Sequence, residues 1–205
     1  QSSSNTFRVA LFGQNGDDPR LVGDWDGDGK ADLAEFRDSA IGAQSYFFYL
    51  GSANNPSGTI TYVPFGMTGD RGLRGDFDGD GNMDACVYRA SDQGWYIRLS
   101  GGPSVVFERW GLPSDRFVPA DYDGDGKTDL AVFRGGNWYI KQSSNGQVIV
   151  RKWGNDTDIL VPADYDGDGK ADPAVYRSGT WWLNRSTAGT TALAFGVGSD
   201  VPVEG

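Results

Sequence analysis

Apolar residues in this chain come in short segments of about five to eight residues, bounded by glycine, serine, asparagine or aspartate. Val, Ile and aromatic residues are frequent in these segments, and such composition predicts β-strands. No segment repeats apolar residues at helical spacing over ten or more positions, so the pattern predicts an all-β protein. The clearest series, LAEFR, ACVYR, LAVFR and PAVYR, is followed each time by an aromatic-rich segment: SYFFYLG, GWYIRLS, NWYIKQS or TWWLNRS.

The strands belong to a longer internal repeat. A nine-residue acidic segment begins at residues 24, 76, 121 and 164, so successive copies lie 52, 45 and 43 residues apart. An aromatic-glycine pair precedes every copy. Units of this length with four strands each are typical of propeller blades. We therefore expect one domain over residues 1–205, a β-propeller of about four four-stranded blades, with units starting near 24, 76, 121 and 164.

Two incomplete copies flank the four units. Residues 1–23 contain Phe12-Gly13, and residues 187–205 contain Phe195-Gly196, so the two segments duplicate the same half-unit. A four-bladed ring needs only one of them to close. Three interpretations stay open for the other copy: it pads the closing blade, the chain is one piece of a longer array, or the spare strand pairs with the sheet edge of another copy.

Several side chains recur around the acidic segments. An arginine ends the strand after each segment, and we expect it to pair with the aspartate that stands six residues before the segment. These predicted pairs join Arg37, Arg89, Arg134 and Arg177 to Asp18, Asp70, Asp115 and Asp158. Neighbouring strand residues face opposite ways, so we expect Trp95, Trp138 and Trp181 in the core, whereas Tyr96, Tyr139 and Trp182 could stack on sugar rings. Asn155 and Asn184 begin glycosylation sequences.

The acidic segments DWDGDGKAD, DFDGDGNMD, DYDGDGKTD and DYDGDGKAD carry aspartate at positions 1, 3, 5 and 9. Alternate aspartates can turn their oxygens toward one point, glycine at position 6 permits a sharp turn, and position 7 offers its backbone carbonyl. Such oxygens suit Ca²⁺, with roughly six to eight ligands, better than the smaller octahedral Mg²⁺. Acidic turns without metal would leave these like charges uncompensated. The predicted ligands of four calcium sites are Asp24, Asp26, Asp28, Lys30 and Asp32; Asp76, Asp78, Asp80, Asn82 and Asp84; Asp121, Asp123, Asp125, Lys127 and Asp129; and Asp164, Asp166, Asp168, Lys170 and Asp172.

Taken together, the aromatic-glycine pair, the acidic loop and the apolar strand after it resemble the FG-GAP/VCBS-type repeats of calcium-binding β-propellers. The resemblance covers nearly the whole chain, although segments such as AVFR replace the Gly-Ala-Pro of the family name. It implies a secreted or cell-surface propeller with calcium in its loops. An EF-hand or a dockerin pair would need flanking helices, and an EF-hand also needs Glu at position 12. That position is Glu35 in the first loop and valine in the others.

Composition narrows the function classes. The chain has 28 acidic and 18 basic residues, a net charge of -10, which disfavours nucleic acid as a partner. Sixteen of the acidic residues are predicted metal ligands. Histidine is absent and Cys86 is the single cysteine, so the commonest general base and any intrachain disulfide are excluded. We expect Cys86 to be a small buried residue and the protein not to be an enzyme. No run of 18 apolar residues predicts a membrane-spanning helix.

These observations predict a non-catalytic, calcium-stabilised binding module for a glycan, a polysaccharide or a protein. With a Kd near 0.1 mM and about 1 mM free calcium, each site would contribute roughly 1.4 kcal/mol and four sites about 6 kcal/mol. Sites this weak fill where calcium is millimolar, so the expected location is extracellular or on a cell surface. The competing prediction is a structural subunit of an extracellular fibre, joined head-to-tail by strand addition. A polysaccharide lyase or hydrolase is the third alternative.

Overall fold

The computed structural model describes residues 11–40, 42–53, 55 and 57–202. These residues contain no helix, and so none long and apolar enough to cross a membrane. Their strands, in chain order, are β1 Leu33–Arg37, β2 Gln44–Leu50, β3 Thr61–Met67, β4 Arg71–Gly75, β5 Asp84–Arg89, β6 Gly94–Arg98, β7 Val105–Arg109, β8 Arg116–Phe117, β9 Leu130–Arg134, β10 Asn137–Lys141, β11 Val148–Lys152, β12 Ile159–Leu160, β13 Ala174–Arg177, β14 Thr180–Arg185 and β15 Gly189–Ala194.

The strands form four antiparallel sheets of sequence neighbours, which are the blades of a β-propeller. Blade 2 comprises β4 to β7, blade 3 comprises β8 to β11, and blade 4 comprises β12 to β15. Blade 1 comprises β1 to β3, and an antiparallel bridge between Asp18 and Phe36 takes the place of its first strand. The predicted all-β fold with four four-stranded blades is confirmed. A channel of about 890 Å³ is lined by β4, β8, β12 and the segment around Asp18.

Each core cluster of blades 1 to 3 combines residues of one blade with residues of the next. Between blades 2 and 3, Trp95 and Ile97 of β6 pack in one cluster with Leu130 and Val132 of β9. Tyr96, between Trp95 and Ile97, faces the other side and is half-buried, as the two-residue period of a strand requires. Trp95 and Trp138 are fully buried as predicted, whereas Trp181 in blade 4 is half-buried. Cys86 is buried, and burial raises the pKa of its thiol.

The glycine of each aromatic-glycine pair is required for two reasons, its backbone angle and the lack of space for a side chain. Gly154 has a φ of +86°, which residues with a side chain rarely adopt. A Cβ on this residue would also lie 2.7 Å from Cγ1 of Val175, the position-12 residue of the fourth loop. Gly66 and Gly111 have the same relation to Val87 and Val132. The pair therefore fixes the approach of each blade to the chain segment before it.

The predicted ion pairs form in blades 2 to 4. Arg89 donates from Nε and Nη2 to the two carboxylate oxygens of Asp70, at 2.9 and 2.7 Å. The same arginine covers one face of an aromatic ring, since its guanidinium carbon lies 4.4 Å from the ring centre of Tyr96. Blades 3 and 4 repeat this arrangement with Asp115, Arg134 and Tyr139, and with Asp158, Arg177 and Trp182.

The ion-pair prediction was wrong in blade 1. Arg37 donates to both oxygens of Asp17, each at 2.8 Å, whereas Asp18 accepts from Arg20. Blade 1 has one additional residue between the paired aspartate and its loop, so counting six residues back from Asp24 gives the wrong aspartate. Counting five residues forward from the aromatic residue, Phe12, gives Asp17, and the same count finds the partner in every blade.

The predicted half-units are described only in part. Residues 1–10 and 203–205 lie outside the described residues. Within the second half-unit, Gly189–Ala194 forms the outer strand of blade 4, paired with β14. The duplication and its three interpretations stay predictions.

Candidate metal centres

Each acidic segment forms the loop that leads into β1, β5, β9 or β13. Loop 3, for example, lies between β8 and β9, and the ends of the loop are joined by a bridge between Ala120 and Asp129. The glycines at positions 4 and 6 have φ between +76° and +90° in all four loops. Only glycine adopts such angles without steric cost, so glycine is required at positions 4 and 6. The sequence pattern indicated this requirement at position 6 alone.

The aspartate at position 1 organises the turn. In loop 2, Asp76 Oδ1 accepts a hydrogen bond from the amide of Gly79 at 2.7 Å, and Oδ2 accepts one from Gly81 at 2.8 Å. Asp24, Asp121 and Asp164 accept the equivalent bonds in the other loops. The two glycine amides thus set the direction of this carboxylate.

The aspartate at position 9 is buried and held from two sides. Asp84 Oδ2 accepts from the amide of Phe77 at 2.8 Å, and Oδ1 accepts from the amide of Ser100 at 2.7 Å. Because Ser100 follows β6, this carboxylate connects the loop to a second strand of the same blade. The equivalent residues are likewise at most 2% exposed: Asp32, Asp129 and Asp172.

A serine completes each site, and the sequence analysis missed it. Besides its amide contact with Asp84, Ser100 donates its hydroxyl to Asp80 Oδ2 at 2.8 Å. A serine therefore orients both the position-9 and the position-5 carboxylate. The repeat contained the signal, because a serine follows every aromatic-rich strand: Ser52, Ser100, Ser143 and Ser186.

The carboxylates at positions 1, 3 and 9 converge in every loop. One oxygen from each lies within 4.8 Å of the others. Oxygens bound to one Ca²⁺ at about 2.4 Å lie no more than about 5 Å apart, so each group has the right size for a single ion. The groups are Asp24, Asp26 and Asp32; Asp76, Asp78 and Asp84; Asp121, Asp123 and Asp129; and Asp164, Asp166 and Asp172.

Two oxygens within these groups lack a protein partner. Oδ1 of Asp26 and Oδ1 of Asp166 are buried and accept no hydrogen bond. A buried carboxylate oxygen without a donor is costly, and a cation bound by the three carboxylates would compensate it. The residues present therefore fit a hard divalent cation.

The predicted ligands at positions 5 and 7 lie outside these groups. In loop 2, Asp80 Oδ1 accepts from the amide of Asn82 at 2.8 Å, and its other oxygen accepts from Ser100. In loop 1, Asp28 also forms an ion pair with Lys30 at 2.9 Å. Metal ligation by the position-5 carboxylates and by the position-7 carbonyls stays a prediction.

The convergence of carboxylates changes their acidity. Burial, and then the negative charges of Asp78 and Asp76, raises the pKa of Asp84 from 3.8 to about 6. Burial is also the main cause that raises the pKa of Asp32, Asp129 and Asp172. Without a cation, each site thus holds a carboxylate in surroundings that disfavour its charge.

The family comparison matches this architecture. The family model of the FG-GAP repeat matches residues 116–150, which contain β8, the third acidic loop, β9 and β10. Residues 116–150 are thus similar to the FG-GAP repeat, and they lie in the third blade of a four-bladed β-propeller. This confirms the resemblance at the level of the FG-GAP repeat and of the fold. Comparison with curated proteins gives no match.

Among solved structures, the propeller is similar to a lectin from Agrocybe aegerita, described as specifically recognising non-reducing terminal N-acetylglucosamine. The two share 18% sequence identity, with a TM-score of 0.55, over 84% of this chain and 51% of the lectin chain. At this identity the similarity is one of fold, and the matched part spans about half the length of the lectin.

Proposed function

We propose that this propeller is a non-catalytic binding module whose acidic loops bind calcium, and that it acts outside the cell or on a cell surface. The single observation that carries the calcium part is the convergence of three carboxylates in each loop, with the buried Oδ1 atoms of Asp26 and Asp166 left without a donor. When bound, calcium would offset two of the three negative charges grouped in each loop. The glycine amides orient the position-1 carboxylate, and the serine amide orients the position-9 carboxylate.

Calorimetric titration of calcium-free protein tests this part. We expect uptake of four Ca²⁺ with Kd values near 0.1 mM, and a lower melting temperature in EDTA, because four filled sites contribute about 6 kcal/mol at millimolar calcium. Asp26→Asn should remove one of the four equivalents. Asp156→Asn, at an exposed aspartate outside the loops, is the matched control and should retain all four. Absence of both calcium uptake and any EDTA effect would refute the proposal.

The proposed ligand is a glycan or polysaccharide, with a protein as the alternative. The likeness to a lectin fold supports this class, and so do exposed aromatic rings, which can stack on sugar rings. Tyr62 on β3 is 64% exposed, Phe107 on β7 47% and Trp182 on β14 38%. Arg177 covers one face of Trp182 at 5.8 Å, so a sugar would stack on the opposite face.

A glycan array probed with the calcium-loaded propeller tests the ligand class. Phe107→Ala and Trp182→Ala, made separately, should show which ring contacts the sugar, with a loss of about 1–3 kcal/mol for a stacking residue, about 5- to 150-fold in affinity. Val148→Ala is the control, since Val148 is 51% exposed on β11 but aliphatic. Failure to bind any glycan, together with capture of a protein ligand, would favour the protein alternative.

The position of the carboxylates supports a non-catalytic role. Those at positions 1, 3 and 9 are grouped in the loops, and Asp70, Asp115 and Asp158 are paired with arginines. Few carboxylates are left for the paired arrangement that glycoside hydrolysis uses. Hydrolysis or elimination of any bound polysaccharide by the purified protein would overturn this part of the proposal.

The fibre subunit is retained as a second candidate because apolar side chains are exposed at the end of blade 4. Phe195 is 76% exposed, Val197 60% and Val201 78%. Such a surface can drive self-association. Electron microscopy and size-exclusion chromatography separate the two functions, since discrete monomers at all concentrations would exclude the fibre.

A further inference from the structure

The four acidic loops are bonded to one another across the blade boundaries. The amide at position 8 of each of loops 2 to 4 donates to the backbone carbonyl at position 1 of the preceding loop. Met83 donates to Asp24 at 2.7 Å, Thr128 to Asp76 at 2.6 Å and Ala171 to Asp121 at 2.6 Å. The same short hydrogen bond thus occurs at three successive boundaries.

A second contact accompanies each bond. The side chain at position 7 lies over the glycine at position 4 of the preceding loop. A Cβ on Gly79 would be 3.2 Å from Cγ of Lys127, and a Cβ on Gly124 would be 3.0 Å from Cγ of Lys170. Asn82 lies over Gly27 in the same way. Consecutive loops are therefore packed as well as hydrogen-bonded.

These contacts involve the residues that form the candidate metal centres. The carbonyl acceptor belongs to the position-1 aspartate, whose carboxylate is one of the three grouped in its loop. The amide donor at position 8 immediately precedes the buried position-9 aspartate of the next loop. Any event that orders position 1 of one loop therefore also restrains a candidate ligand in the next loop.

We propose that the loops bind calcium cooperatively, so that a cation in one loop raises the affinity of the loops adjacent to it. This inference rests on the proposed calcium function. In the calcium-free chain, repulsion between the grouped carboxylates favours looser loops. Binding of the first cation orders the boundary between two loops, which costs conformational entropy. Because the boundary is then already ordered, the second cation binds the adjacent loop without that cost. Ordinary coupling between sites corresponds to about a 5- to 150-fold change in affinity, and we expect a factor of at least about five.

Loop 1 provides an internal comparison. Within the described part of the chain, the position-8 amide of loop 1, that of Ala31, donates no such bond to another loop. Ala31 is also exposed, whereas Met83, Thr128 and Ala171 are half-buried. Coupling should therefore run along the series of loops 1, 2, 3 and 4, and loops 1 and 4 should each depend on one neighbour.

The test is a calcium titration in which amide hydrogen exchange reports each loop separately. Asp123→Asn removes a carboxylate from loop 3. We expect the titration midpoints of loops 2 and 4 to rise about fivefold or more, while loop 1, which is not adjacent to loop 3, changes least. Unchanged midpoints in loops 2 and 4 would overturn the inference.

A proline pair isolates the boundary hydrogen bond. Thr128→Pro removes the amide that donates to Asp76 and should uncouple loop 2 from loop 3. Ala31→Pro makes the same change at the same position of loop 1, and it should leave the coupling among loops 2 to 4 intact. Should Thr128→Pro fail to fold, the Asp123→Asn titration still decides the question. Absence of calcium binding in every loop would instead refute the proposed function, which is a separate outcome.

Discussion

Blades 1 and 3 contain the same acidic loop but differ in the rest of the repeat. Blade 3 has four strands, and its position-12 residue, Val132, is fully buried. Blade 1 has a single bridge in place of its first strand, and a glutamate, Glu35, occupies the position of that valine. Leu33 is 43% exposed in blade 1, whereas its equivalent Leu130 is 7% exposed. Most bonds inside the loop are nevertheless the same, because they join residues within nine positions of each other.

Glu35 shows how blade 1 accommodates the difference. The side chain is 4% exposed and accepts from Arg37, which also binds Asp17. Burial, and then Asp17, raises the pKa of Glu35 to about 7, whereas the hydrogen bond from Arg37 is the main cause that lowers the pKa of Asp17 to about 2. Gly13 lies against the Glu35 carboxyl. The comparison teaches that the turn inside each loop forms in the same way in both blades, while the position-12 contact is specific to each blade.

The largest expected effect comes from placing the blade 1 residue in blade 3. Val132→Glu introduces a carboxyl at a fully buried position close to the carboxylate of Asp115. We expect the free energy of unfolding at pH 8 to fall by more than about 3 kcal/mol. Val132→Thr, of nearly the same shape, is the control and should cost less. Chemical denaturation measures both, and equal small losses would show that the site can hydrate.

The reverse substitution, Glu35→Val, should stabilise blade 1 by an amount that depends on pH. The folded-state pKa of Glu35 is raised from 4.5 to about 7, so the folded chain retains a proton that the unfolded chain loses. The wild type should therefore lose stability as the pH rises from about 4.5 to about 7. Glu35→Val removes this loss, so the stability advantage of the variant over the wild type should grow across that window by roughly 3 kcal/mol and then stay constant.

Among the described residues, Asp17 and Arg37 are the charged groups that interact with Glu35, and neither titrates in this pH window. The pKa of Asp17 is lowered to about 2, so its stabilising contribution is lost only under more acidic conditions. Melting temperatures of wild type and Glu35→Val between pH 4 and pH 8 measure the effect. An advantage that is independent of pH would mean that packing, rather than the proton, is responsible.

Removing the serine hydroxyl should have the smallest effect on the free energy of unfolding, and this effect should be equal in blades 1 and 3. Ser52→Ala and Ser143→Ala remove hydroxyl groups that donate to Asp28 and Asp125 but keep the backbone amides that hold Asp32 and Asp129. Each should lower the free energy of unfolding by about 0.5–1.5 kcal/mol, the usual contribution of one hydrogen bond. Urea unfolding of the two variants compares them, and a clearly unequal loss would contradict the view that the serine contact is equivalent in the two blades.

The repeat made much of the fold predictable, and it also explains which contacts were missed. Strand alternation placed Trp95 and Trp138 in the core, and the DxDGDGxxD spacing identified the carboxylates that converge at positions 1, 3 and 9. The incorrect pairing of Asp18 arose from counting back from the loop in the one blade with an additional residue. The serines were overlooked because they are distant from the loops in sequence and reach them only through strand pairing.

The amino-acid sequence alone determined the period of the chain, the strand character of its segments and the chemistry of the loops, because these depend on residues that are near one another in the chain. The tertiary structure decided which groups meet across blades. Ser100 reaches Asp80, and Thr128 donates to Asp76, only because strand pairing and blade packing bring together residues that are 20 to 52 positions apart. No local pattern encodes such distances, since they depend on how rigid blades pack against one another.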